Sequence, residues 1–112
     1  MRGFSDITIT PETKILQAIQ MIDASAQQIG LVVNEQNKLL GTITDGDIRR
    51  AILKGVNLQE AVCGIMNTKP KVARLESSRE KMLAIMKQKK LRHIPIVDGE
   101  GYLVGLETID DL

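Results

Sequence analysis

Apolar and polar positions along the chain follow one pattern that is then used again. Between Asp6 and Thr10, polar and β-branched residues alternate and stop at Pro11, which predicts a short first strand. Thr10-Pro-Glu-Thr13 carries helix-start chemistry, with Pro11 suited to an early turn and Thr13 a candidate cap. Ile15, Ala18, Ile19 and Ile22 then share one helical stripe, with Gln17, Gln20 and Asp23 turned away. Ile29–Val33 is an apolar run of strand length, Asn34–Lys38 a polar turn and Leu39–Thr44 a second strand, together a hairpin. The stretch GTITDGDIRR, Gly41 to Arg50, crosses from that strand into a helix. Ile48, Ala51 and Ile52 carry its apolar spacing, and it runs to about Lys54, with Gly55 just past its end.

Val56–Lys69 reads as a connector, with LQEAVCGIM partly helical. The pattern then restarts. Lys71–Ala73 is strand-like, and Ser77 or Ser78 can cap a helix carrying Met82, Leu83 and Met86. His93–Val97 and Leu103–Thr108 read as strands joined by the Gly-rich turn Asp98–Tyr102, and Asp110–Leu112 begins a last helix. Residues 9–48 align without a gap against 73–112. Glu12/Glu76, Val33/Val97, Leu39/Leu103, Gly41/Gly105, Thr44/Thr108 and Asp47/Asp111 are identical; the last four fall within ten residues, and the last three define G-x-x-T-x-x-D twice. This is an internal repeat. The expected fold is α+β: two β-α-β-β-α repeats, 1–58 and 59–112, the second with a truncated final helix. A unit of this size cannot cover both faces of its own sheet, so two such units are expected to cover each other.

Composition narrows the function. The chain has 112 residues, 43% of them hydrophobic and 26% charged, with a net charge of +1. That is ordinary for a globular domain. Phe4 and Tyr102 are the aromatic residues. Without a basic stripe or stacking rings, a nucleic-acid partner is not expected. No apolar run approaches the roughly 20 residues that cross a bilayer, and the N-terminus lacks the apolar core of a signal peptide, so neither a membrane partner nor export is expected and the cytoplasm is the default location. Cys63 is the single cysteine and reads as a small buried residue; Met21, Met66, Met82 and Met86 read as core filler. One histidine, no nucleophile constellation and no P-loop argue against an enzyme. Asp45 with Asp47, and Asp110 with Asp111, are neighbouring carboxylates, too weak a signal to assign a metal.

Candidate chemistry sits at the strand-to-helix junctions. A first helical turn leaves backbone N–H groups without partners and carries partial positive charge, which suits anions. Thr44-x-x-Asp47 and Thr108-x-x-Asp111 read either as capping boxes or as ligand groups, because an ionised carboxylate is acceptor-only and can take both hydroxyls of a cis-diol. Arg92 and His93 open a strand and offer charge-assisted donors, whereas Gln28 and Ile29 stand at the equivalent positions of the first half. The two clefts should therefore differ. Lys87, Lys89 and Lys90 at a helix end read as solvated charges or as electrostatic help for phosphate, and Arg49 and Arg50 as solvated charges or as ligand or interface groups.

The motifs GTITDGD (Gly41–Asp47), GLETIDD (Gly105–Asp111), RHIPIVD (Arg92–Asp98) and VCGIMNTKPKV (Val62–Val72) together resemble a tandem pair of cystathionine β-synthase (CBS) domains, the Bateman module. The resemblance implies pseudo-two-fold symmetry, homodimer formation and a regulatory role driven by an adenine nucleotide or related nucleoside such as AMP, ADP or ATP. It implies that Asp47 and Asp111 accept from ribose hydroxyls, that Thr44 and Thr108 lie near ribose or phosphate, and that Arg92 and His93 face phosphate in the second cleft. That cleft is expected to be the better equipped, and also the one shortened at Leu112. TDGDIRR is similar to CBS pairs attached to sugar-phosphate nucleotidyltransferases and to arabinose-5-phosphate isomerases. Met1 just before the first strand favours the nucleotidyltransferase arrangement, with the catalytic domain following. The alternative is a dimerisation module that acts without ligand.

Overall fold

The computed structural model describes residues 3–25 and 27–111, the last by its backbone only. In the first half, β1 (Thr8–Ile9), α1 (Ile15–Ser25), β2 (Ile29–Val33), β3 (Leu39–Thr44) and α2 (Asp45–Leu53) follow one another. The second half gives β4 (Ala73–Arg74), α3 (Arg79–Lys89), β5 (His93–Val97) and β6 (Leu103–Thr108). Short 3-10 turns stand at Ser5–Ile7, Val62–Gly64 and Ile109–Asp111. The predicted first strand is thus shortened to Thr8–Ile9, with Asp6 and Ile7 in a 3-10 turn, and the helical part of the connector is the turn Val62–Gly64.

Local chemistry decides the helix starts. The Ser78 hydroxyl accepts the Lys81 N–H at 3.1 Å and caps α3, while Ser77 accepts the Arg74 N–H instead. Thr13 does not cap α1: its hydroxyl turns back to the Thr10 N–H, and Gln17 Oε1 accepts the Lys14 N–H. A glutamine one turn in can satisfy an orphan donor as well as a cap hydroxyl can.

Each half forms a three-stranded sheet, β1-β2-β3 and β4-β5-β6, with a parallel first pair and an antiparallel second pair. Both hairpins shift register at equivalent points, where Leu40 and Val104 are inserted opposite Val32/Val33 and Ile96/Val97. Every strand, α1 and α3 obey the offset of 64 residues seen in the sequence, within one residue at the short first strands.

Alternation along β2 explains how one fully buried strand serves two cores. Val32 packs under the helices with Ile15, Ala18, Ile22, Ile43 and Ile48. Ile29, Leu31 and Val33 point the other way and join Leu103, Leu106 and Ile7 in a core shared by the two repeats. A third cluster, Ala73, Met86, Ile94 and Ile96, belongs to the second repeat. The hairpin turns meet on the pseudo-dyad. The Leu39 N–H donates to Gly101 O at 3.1 Å and the Leu103 N–H donates to Asn37 O at 3.0 Å, an exchange symmetric under the offset. Asn37 and Gly101 both take left-handed backbone, φ 67° and 91°, as turns of this tightness require.

The connector stays packed on the first repeat well past residue 58. Val62 is fully buried in that repeat's core, and Ile65 and Met66 pack at its edge. Asn67 exchanges two backbone hydrogen bonds with Thr42, at 2.9 and 3.0 Å. Gly41 makes this possible, since a Cβ there would lie 2.6 Å from Asn67 O and 3.0 Å from Met66 Sδ. The expectation of a buried Cys63 is corrected: it lies on the outer side of its turn and is exposed, its apolar neighbour Val62 taking the core position. Met86 is buried and Met21, Met66 and Met82 pack at core edges. Ile52 and Leu53, at the end of α2, are 53% and 79% exposed.

Candidate functional site

The first strand-to-helix junction is a cap and a cleft wall at once. Thr44 holds extended backbone (φ −122°, ψ 171°), and Asp47 Oδ2 accepts both its N–H at 2.9 Å and its hydroxyl at 3.0 Å. Asp47 Oδ1 accepts from Arg50 Nη2 at 2.9 Å. The capping reading of Thr44-x-x-Asp47 is therefore real. It does not exhaust the carboxylate, which has about four lone-pair directions.

Around this junction lies a cleft of about 380 Å³ between the repeats. The first repeat contributes Gln28, Ile29, Thr44, Asp47 and Arg50. The second contributes Lys90, Leu91, Arg92 and His93, from the end of α3 into β5. The connector adds Asn67, Pro70 and Lys71. Lys90 is the residue after α3 and adopts left-handed backbone (φ 57°, ψ 42°), which ends the helix and turns the chain along the cleft. Arg50, Lys71, Lys90 and Arg92 face Asp45 and Asp47 here, so positive charge is in excess by two before His93 is counted. A recess of about 320 Å³, lined by Ile19, Ile22 and Ile48 together with Asp23, adjoins this cleft and shares Gln28 and Asp45 with it.

A second cleft, about 470 Å³, is its pseudo-symmetry mate. Gln27 and Gln28 of the first repeat meet Arg92, His93, Thr108 and Asp110 of the second. Thr108 is the cross-strand neighbour of His93, as Thr44 is of Ile29. Asp110 lies 3.5 Å from Arg92, both side chains being exposed. The Asp111 side chain lies outside the described residues.

The pairing expected from the sequence is thereby revised. Each cleft takes its strand-to-helix junction from one repeat and helix-to-strand residues from both, with Gln28, Arg92 and His93 lining each. Arg92 and His93 thus border both clefts, instead of serving Thr108 and Asp111 alone. The cations gather in the first cleft, against Thr44 and Asp47. In the second, among the described lining residues, one arginine faces one aspartate. Lys90 and Arg50 reach the first cleft, whereas Lys87, Lys89 and Arg49 are exposed and outside its lining. Lys71 and Asn67 were not distinguished by sequence: the connector's position depends on its ladder to Thr42, which no local pattern announces.

A β-α-β-β-α unit and a β-α-β-β unit that ends in a 3-10 turn, related by a pseudo-dyad with a polar cleft on each side of their shared core, define a tandem-repeat module. The CBS domain signature matches residues 5–54 and again 62–112, and the chain belongs to that family as a tandem pair. CBS domains are regulatory modules, which sets this chain apart from catalytic domains. Among solved structures, a CBS domain protein from Pyrobaculum aerophilum complexed with AMP superposes with a TM-score of 0.86 at 18% identity, over 100% of this chain and 85% of that one. A putative signal-transduction protein with CBS domains from Burkholderia ambifaria gives 0.83 at 28%, over 98% and 79%. A probable arabinose 5-phosphate isomerase of Haemophilus influenzae is 32% identical over 101 residues, 88% of this chain and 30% of that protein. The chain spans a fifth to about a third of the length of the curated relatives it matches. No helix among the described residues is long and apolar enough to cross a membrane, and no group of three or more metal-ligating side chains occurs among them.

Proposed function

We propose that this chain is a nucleotide-responsive regulatory module that binds an adenine nucleotide in the first cleft and biases an attached enzyme. The observation that carries the reading is the convergence of Thr44 and Asp47, suited to a ribose, with Lys71, Lys90, Arg92 and His93, suited to phosphate, in one cleft. Ligand pockets of this kind measure about 300–1,000 Å³, so the volume is sufficient for a mononucleotide. The adjoining recess, where Ile19, Ile22 and Ile48 stand beside Asp23, Gln28 and Asp45, offers apolar side chains for a flat base to pack on and polar groups for its edge. The AMP complex of the Pyrobaculum protein supports the ligand class. Thr108 and Asp111 would serve a weaker second site.

Because the first cleft is built from both repeats and the connector, a ligand bridging them favours one relative packing over another. It shifts the parent's equilibrium by its differential affinity for the two states. The attached domain, in this reading, is a cytoplasmic enzyme acting on a sugar phosphate. The Haemophilus relative supports the isomerase alternative over a nucleotidyltransferase. Homodimerisation through the pair is part of the reading, and the exposed Ile52 and Leu53 of α2 support it.

Calorimetry with AMP, ADP, ATP and S-adenosylmethionine tests the proposal. At least one phosphate-bearing ligand should bind, and Asp47→Ala or Arg92→Ala should abolish or sharply weaken binding. If none binds the wild-type chain at millimolar concentration, the nucleotide reading is wrong. Dimerisation insensitive to both substitutions would then support the ligand-independent alternative.

A further inference from the structure

The ion pair between Arg50 and Asp47 raises a question of access. Asp47 Oδ2 is engaged twice by Thr44 and Oδ1 once by Arg50. Of about four lone-pair directions, three are in use, and a cis-diol needs two. The Asp47 side chain is 14% exposed and that of Arg50 is 60% exposed, so the guanidinium lies on the solvent side of the carboxylate. It also folds back over the first turn of α2. A Cβ at Gly46 would lie 3.2 Å from Arg50 Nη1, so the glycine leaves room for this conformation.

We propose that Arg50 is the specificity-determining residue of the first cleft, a latch on Asp47 that opens for ligands carrying an anionic phosphate beside their diol. The inference rests on the nucleotide reading of this cleft. When the diol takes Oδ1, Arg50 must leave. It is then a cation in a cleft already lined by Lys71, Lys90 and Arg92. A nucleoside leaves it there without a counter-charge. A nucleotide supplies a phosphate that the planar guanidinium can grip with two parallel hydrogen bonds. The same residue therefore penalises the nucleoside and rewards the nucleotide. A lysine repeats the charge without the fork geometry, so it should discriminate less well.

The test is calorimetric titration of the whole chain with AMP and with adenosine. The wild type is compared with Arg50→Ala and Arg50→Lys, and with Arg49→Ala, which removes an exposed charge from the same helix outside the cleft lining. In wild type AMP should bind more tightly than adenosine. Arg50→Ala should cut the AMP-to-adenosine affinity ratio on the order of ten-fold or more, the scale of one charge-assisted hydrogen bond, with adenosine binding at least as tightly as to wild type. Arg50→Lys should fall between, and Arg49→Ala should leave the ratio unchanged. If AMP and adenosine both bind and Arg50→Ala leaves their ratio at the wild-type value, the latch is refuted while the nucleotide reading stands. If neither ligand binds wild type, the latch as a filter between AMP and adenosine is refuted, and the nucleotide reading stands or falls with the ADP, ATP and S-adenosylmethionine titrations. Melting curves establish that each variant is folded, as expected for substitutions at exposed positions.

Discussion

Gly41→Ala should be strongly damaging for a single added methyl, because the Cβ would fall 2.6 Å from Asn67 O and 3.0 Å from Met66 Sδ. A flexible side chain could swing aside; a backbone carbonyl cannot. Relief requires the connector to move away, and that stretches the two hydrogen bonds Asn67 exchanges with Thr42 at 2.9 and 3.0 Å. Overpacking costs about 1–3 kcal/mol. Two weakened backbone bonds add about 1–3 kcal/mol. The smaller unfolded-state entropy of alanine offsets roughly 0.4–1 kcal/mol. The net is a loss of about 3 kcal/mol. For 112 residues the unfolding entropy near the midpoint is about 0.24 kcal/mol/K, so Tm should fall by about 12 °C. Gly64→Ala is the matched control, with nothing within 4 Å of its added Cβ and no left-handed backbone. It should melt like wild type. Scanning calorimetry of both variants decides the matter: a Gly41→Ala protein that melts with the control would refute the close-approach argument. The function follows the same strain, since Asn67, Pro70 and Lys71 line the cleft and move with the connector.

Leu106→Ala removes a fully buried side chain from the core the repeats share and should cost about 2–5 kcal/mol. Both repeats should melt earlier in one transition; a repeat that still unfolds at the wild-type temperature would show that the core is not shared. Cys63, exposed on its turn, should react with an aromatic disulfide reagent in the native protein as fast as in denaturant, and protection until unfolding would contradict the structure. Asp47→Ala removes the acceptor of two Thr44 hydrogen bonds and should lower stability by about 1–2 kcal/mol in chemical denaturation, independent of any ligand. No loss would mean that α2 is capped by something else.

Element types and their order were legible along most of the chain because each depends on neighbours in sequence. The stripe Ile15–Ile22 and the run Ile29–Val33 carried their periods openly. The boundaries that slipped did so where the deciding partner was distant or had a rival. Thr8 and Ile9 pair with Leu31 and Val32, which limits β1 to two residues. Cys63 gave way to Val62 because one buried position on a tight turn admits one side chain.

By itself the sequence determined the repeat, the α+β class and the two G-x-x-T-x-x-D junctions, since an offset of 64 residues and a local cap are written in neighbouring residues. Only the tertiary structure decided which junction faces which cations. The pseudo-dyad sets the helix-to-strand segment of one repeat against the strand-to-helix junction of the other, so Arg92 and His93 stand with Thr44 and Asp47 as well as with Thr108. Lys71 joins them because the connector pairs with Thr42 over Gly41. Charge in a cleft is the sum over all the elements that border it, and which elements border it is a property of packing.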